Sequence, residues 1–138
     1  RMANRQTATT QVSRSGWTLE NKSDLLLKLY QKAMLCMDDA LDLIERGEMV
    51  EKGKRLIQAQ EIVMQLSDAL DYQGEGYEVA ANLNRLYIYV YRLLIRGNTR
   101  LDCEAIGEAR VLMARLLTAW EQVAQGPEPA LPSSRARF

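Results

Sequence analysis

An all-α protein, folded as an antiparallel up-down-up-down four-helix bundle, follows from three features of the sequence. Apolar residues recur at three- and four-residue spacing in four separate windows, the signature of amphipathic helices. All 3 prolines lie beyond residue 126, so none interrupts those windows. The windows are parted by short glycine-containing breaks at Gly47, Gly74–Gly76 and Gly97, and short links favour antiparallel neighbours. The chain accordingly divides into a flexible N-terminal arm (residues 1–20), the bundle (21–125) and a disordered Pro-containing tail (126–138).

The arm is rich in Thr, Ser, Gln and Arg, and Trp17 is its candidate anchor, able to lay the arm across an apolar groove. The first helix opens near Asn21 or Ser23, either of which can cap, and ends at Gly47 as a C′ glycine. Its core stripe is Leu26, Leu29, Tyr30, Ala33, Met37, Ala40, Leu41 and Ile44, widened by Leu27 and Met34. The second helix is expected to be established by Lys54, with a first turn frayed by Gly53. Leu56, Ala59, Val63, Leu66 and Leu70 form its stripe, flanked by Ile57, Ile62 and Met64.

The third helix spans roughly Tyr77 to Arg96, closed by Gly97-Asn98. Asp102 caps the fourth, whose stripe is Ile106, Ala109, Met113, Leu116, Leu117, Trp120 and Val123.

Composition removes whole classes of chemistry. Histidine is absent, which excludes a His general base, Ser-His or Cys-His nucleophile pairs and imidazole metal sites. Cys36 and Cys103 form no C-x-x-C pair and read as two buried free thiols. With 18 basic and 18 acidic side chains interspersed, there is no basic surplus to hold nucleic acid. No stretch approaches the roughly 20 apolar residues of a membrane span, and the polar N-terminus is no signal peptide, which points to the cytoplasm. Asp38, Asp39 and Asp42, with Glu45 and Glu48, read as a solvated face. Gly74-x-Gly76 lacks the residues of a phosphate loop. No enzyme site and no cofactor are expected.

What remains is excess apolar surface. Val79, Ala80, Leu83, Leu86, Tyr87, Val90, Leu93 and Leu94 already supply one stripe on the third helix, yet Ile88, Tyr91 and Ile95 make a second, with Tyr89 between. Weaker second stripes appear at Ile57 and Met64, and at Ala105, Leu112 and Ala119. A bundle helix needs a single stripe of about 100°. Periodicity leaves two readings open: a homo-oligomer or a centrally placed helix, or a groove that accepts amphipathic helices.

Several short motifs stand in a set order along the chain. They comprise Leu29-Tyr30 with Ala33, the link ALDLIERGEMVEK from Ala40 to Lys52, and Ile57-x-Ala59-Gln60-x-Ile62-Val63. The most specific run is Leu70-Asp71, Gly76 and Glu78-Val79-Ala80-x-Asn82-Leu83-x-x-Leu86-Tyr87-x-Tyr89. Arg92-Leu93 through Asn98 to Asp102, and Leu116 to Trp120, complete the order. Taken in that order, these patches resemble the flagellin export chaperone family, FliS. Three departures stand out: Asn21-Lys22 replaces a Ser-Pro, Gly76-Tyr77 replaces paired glycines, and the family's N-terminal Tyr segment has no counterpart unless Trp17 serves.

The resemblance implies a non-enzymatic cytoplasmic chaperone that binds the disordered C-terminal segment of flagellin as amphipathic helices. It would prevent premature polymerisation and deliver flagellin for type III export, with an export-gate component as a further partner. The arm resembles a removable cover for the groove. Residues expected to line that groove are Ile57, Met64, Ile88, Tyr91, Ile95 and Leu112, with Asn82 and Tyr87 shaping the motif region, unless Asn82 is a buried amide and Tyr87 a core aromatic.

Overall fold

The computed structural model describes residues 19–125; the arm before them, Trp17 included, and the tail after them lie outside the described residues. Four helices follow one another: α1 (Leu19–Glu45), α2 (Met49–Asp68), α3 (Tyr77–Arg100) and α4 (Cys103–Gln125). A 3₁₀ turn, Gly74–Gly76, leads into α3.

The helix ends have local causes. Gly47 has φ +75°, its N–H donates to the Ile44 carbonyl at 3.0 Å, and the Glu48 N–H donates to Leu43 at 2.9 Å. Those two bonds are a Schellman motif, and the glycine makes the left-handed turn without a Cβ penalty. Asp102 closes the last link: its Oδ1 accepts the Ala105 N–H at 3.1 Å, an N-cap on α4. Between α2 and α3, Asp71 Oδ1 accepts the Gln73 N–H at 3.0 Å and Gly74 takes φ +53°.

Three boundaries differ from expectation. α1 starts at Leu19, two residues before Asn21, a difference of ordinary size at a helix end. α2 is already helical at Met49, so Gly53 does not delay it. α3 does not stop at Gly97-Asn98 but runs to Arg100, and the left-handed closing residue is Leu101, φ +54°. Gly97 is buried inside the helix because Ile106 of α4 packs on it: a Cβ there would stand 2.3 Å from Ile106 Cγ1. It is a close-approach glycine rather than a terminator.

Contacts run in a ring, α1 on α2, α2 on α3, α3 on α4 and α4 on α1. Cross-pairs show α1 antiparallel to α4 and α2 antiparallel to α3, and the short link 46–48 turns α2 back along α1. Asp38 and Tyr30 of α1 meet Arg110 and Trp120 of α4, while Lys52 and Ser67 of α2 meet Asn98 and Asn84 of α3. The bundle is therefore all-α and antiparallel, up-down-up-down.

The core fills from all four helices, with Tyr30, Ala33 and Met37, Leu56 and Val63, Tyr87 and Val90, and Ile106 and Met113 fully buried. Cys36 and Ile62, outside the expected central stripes, join it. Val79, expected in the core, is instead 56% exposed, because it stands in the first turn of α3 at the end of the bundle. Ala105, expected on an outer stripe of α4, is buried.

A hydrogen-bonded trio ties three helices together inside this core. Trp120 Nε1 of α4 donates to the Tyr30 hydroxyl of α1 at 3.0 Å, and that hydroxyl is hydrogen-bonded to the Tyr87 hydroxyl of α3. α1 and α3 are diagonal helices, so these phenols span the bundle centre. Burial pushes both phenols above their ordinary pKa, which favours the protonated hydroxyls. Tyr30→Phe leaves Trp120 Nε1 and Tyr87 without partners, an expected loss of about 1–3 kcal/mol in chemical denaturation. Tyr87→Phe leaves the Trp120–Tyr30 bond intact and is expected to cost less. Equal losses from the two would argue against Tyr30 as the hub.

The acidic run on α1 is less a free solvated face than expected. Asp38 takes a bidentate fork from Arg110 of α4, 2.6 Å from Nε and 3.0 Å from Nη2. Asp39 stands 3.6 Å from Arg55 of α2, and Asp42 pairs with Arg46 at 3.1 Å. The first two are stitches between helices, at positions where neighbouring helices bring an arginine. That fork holds the Arg110 guanidinium above its ordinary pKa.

Candidate functional site

The α2–α3 seam brings together five of the apolar residues singled out in the sequence. Register follows from two cross-links: Ser67 of α2 donates to Asn84 of α3, and Lys52 Nζ donates to Asn98 Oδ1 at 2.7 Å and to its carbonyl at 3.1 Å. In that antiparallel register Met64 comes level with Ile88 and Ile57 with Ile95. Gly53, whose Cβ position lies 3.7 Å from Asn98 Oδ1, marks the flank of α2 that faces α3. Ile57 lies one turn beyond Gly53, and Met64 a further two turns along the same flank.

On α3 the matching flank is marked by Asn84, with Ile88, Tyr91 and Ile95 following it at helical spacing. Ile57 is 50% exposed, Ile88 42%, and Met64 and Ile95 are also open to solvent. Tyr91 is half-buried between them and packs against the core, giving the groove its floor. The result is a shallow apolar groove running along two helices.

The other three residues lie elsewhere. Leu112 sits on the flank of α4 that carries Glu108, whose carboxylate accepts the Tyr89 hydroxyl of α3. It therefore belongs to the α3–α4 seam, on the opposite side of α3, where it is half-buried against the core with Ala119 nearby on the same flank. That bond to Glu108 holds the Tyr89 phenol above its ordinary pKa. Asn82 is exposed, not a buried amide, and accepts a hydrogen bond from Arg85 Nη1. Tyr87 is 1% exposed and belongs to the Tyr30–Trp120 trio, so it is a core aromatic with no surface to offer a ligand.

Periodicity could not find the Lys52–Asn98 pair. Lys52 is buried, and its ammonium caps carbonyl oxygen near the C-terminus of α3, where the helix dipole favours a cation. Its signal was a lysine on the flank occupied by Leu56 and Ala59 one and two turns later.

Of the cysteines, Cys36 is buried as expected, and burial raises its thiol pKa; Cys103 is exposed, because it occupies the first turn of α4 outside the core stripe. Among the described residues no group of three or more Cys, Asp or Glu side chains could hold a metal ion. No described helix is long and apolar enough to cross a membrane.

Fold and seam place the chain in the class of antiparallel four-helix bundles that leave an apolar inter-helix groove open to solvent. Residues 3–127 match the family described as flagellar protein FliS. The chain belongs to that family. It is 35% identical over 112 residues to the flagellar secretion chaperone FliS of Salmonella typhimurium, covering 80% of this chain and 81% of that protein. The flagellar secretion chaperone FliSB of Pseudomonas aeruginosa is 31% identical over 103 residues, 75% of this chain and 81% of its own. FliS of Bacillus subtilis is 29% identical over 102 residues, 74% of each chain.

Proposed function

We propose that this chain is a non-enzymatic, cytoplasmic flagellar export chaperone whose α2–α3 groove receives the C-terminal segment of flagellin as an amphipathic helix. The observation that carries the reading is the alignment of Ile57 with Ile95 and Met64 with Ile88 across one seam, all four exposed. A ligand helix with apolar side chains about two turns apart would meet one such pair at each step. Methionine and tyrosine in the lining supply adaptable contact area. The family relationship to secretion chaperones supports the same reading.

The energetics are those of folding upon binding. A ligand disordered alone gives up about 2–5 kcal/mol or more of the gross interaction to become helical, so it must bury a large apolar area. Covering its apolar face in this way would keep flagellin from polymerising before delivery, and an export-gate component is the proposed receiver.

Mixing the full chain with a flagellin C-terminal peptide is expected to give a stoichiometric complex and more helical circular dichroism than the two components summed. No binding at roughly micromolar to tens of micromolar concentration, the range of about 6–8 kcal/mol, would end the flagellin assignment. Light scattering on the same samples checks the rival use of the groove, a symmetric homodimer, which predicts a dimer that the peptide neither enters nor dissociates.

A further inference from the structure

The groove has walls of opposite charge, and we infer that its occupant is a helix of another protein carrying carboxylates along the flank that faces α3. This deepens the proposed function and rests on that groove being the binding site. On α3, Arg85, Arg92 and Arg96 are exposed, and the first two flank the apolar row at helical spacing. Arg85 precedes Ile88 by three residues, and Arg92 lies four after Ile88 and three before Ile95, so both residues neighbour the apolar anchors on the helix surface. No acidic residue occurs on α3 between Glu78 and its end at Arg100. Among the described residues none of these three arginines has a carboxylate within 4.0 Å, whereas Arg46, Arg55 and Arg110 each do. Arg85 is held by the neutral amide of Asn82, which leaves its charge uncompensated.

The α2 wall is opposite in sign. Glu61 and Asp68 are exposed, each four residues beyond Ile57 or Met64, and Lys54 is engaged by Glu51 at 3.3 Å. A ligand helix seated on the apolar floor would gain from acids on its α3 side and be repelled by acids on its α2 side. This pattern selects the rotation of the ligand about its own axis, which apolar contacts alone leave loosely defined.

Residues 1–18 and 126–138 do not fit the arginine row. Residues 1–18 contain Arg1, Arg5 and Arg14 and no acid, and residues 126–138 contain Arg135 and Arg137 against the single Glu128.

The test uses the full chain, a flagellin C-terminal peptide, and the same peptide with its Asp and Glu changed to Asn and Gln. Arg85→Glu with Arg92→Glu is expected to weaken binding of the native peptide roughly tenfold at low ionic strength. The gap should narrow in high salt, where the screening length falls to about 3 Å. The neutralised peptide should bind the unaltered protein more weakly and be nearly indifferent to the arginine changes. Equal affinity of both peptides for the unaltered protein overturns the inference, and so does a native affinity unchanged by Arg85→Glu with Arg92→Glu. Either result leaves the groove itself standing if Ile88→Glu still abolishes binding. No binding of the native peptide to the unaltered protein removes both the inference and the function it rests on. Displacement of the bound peptide by a peptide of residues 1–18 overturns the inference in favour of the chain's own arm, and a dimer abolished by Ile88→Glu overturns it in favour of a second copy.

Discussion

Gly97→Val is expected to be among the most damaging single substitutions in the bundle, lowering stability by about 3 kcal/mol or more. Even an alanine Cβ at this position would sit 2.3 Å from Ile106 Cγ1 and 2.8 Å from Ile106 Cδ1. Ile106 is itself fully buried, so it has no empty space into which to rotate. Glycine to alanine in an ordinary helix interior gains about 1 kcal/mol from propensity. Here overpacking should reverse that sign for alanine and outweigh it decisively for valine.

A domain of this kind has total stability of about 5–15 kcal/mol, so the valine variant should melt well below the parent. Ile106→Ala removes the clashing atoms, and the pair Gly97→Ala with Ile106→Ala should be less destabilised than the sum of its single changes. A Gly97→Val protein within about 0.5 kcal/mol of the parent would show that α3 and α4 are not closely apposed here.

The second large effect is on binding. Ile88→Glu is expected to weaken the flagellin peptide complex by about 100-fold or more, the scale of a hot spot of roughly 2.7 kcal/mol. It places a carboxylate on the α3 side of the groove, level with Met64. Ile88 is 42% exposed, so the isolated chain should lose little stability, as is usual for surface changes, which typically stay within about 0.5 kcal/mol.

Tyr87→Ala supplies the contrast. It is one residue away in sequence but lies in the core, and the cavity it leaves should cost about 3–5 kcal/mol in unfolding. Paired melts and titrations separate the two sites. A cooperative Ile88→Glu protein that binds as well as the parent would mean that the ligand docks on another face, with the α3–α4 seam around Leu112 the next place to look.

The helices were legible because their causes are near in sequence. Four periodic windows, a glycine after Ile44-Glu45-Arg46 and an aspartate three residues before Ala105 are enough to place α1 through α4 and two of their ends. Legibility failed where a residue's role is set by what another helix brings to it. Gly97 read as a terminator, because a glycine near the end of a periodic window has the same local signature whether it closes a helix or admits a neighbour. Asp38 and Asp39 read as solvated, because nothing local announces Arg110 or Arg55. Val79 continued the core stripe of α3 in register, yet the bundle ends before covering it.

The apolar surplus of α3 shows the same division. Its two stripes were visible in the sequence, together with the absence of His chemistry and the likeness to flagellin chaperones, since each depends on residue type and order alone. The tertiary structure decided what each stripe meets. Tyr87 turned inward because Tyr30, 57 residues away, completes its hydroxyl's hydrogen bond and is itself held by the Trp120 indole N–H. Ile57 and Met64 came level with Ile95 and Ile88 because Ser67–Asn84 and Lys52–Asn98 set the α2–α3 register. A helical wheel gives the angle of a side chain about its own axis. The distance and register of the neighbouring helix decide whether that angle ends in core, in a seam or in water.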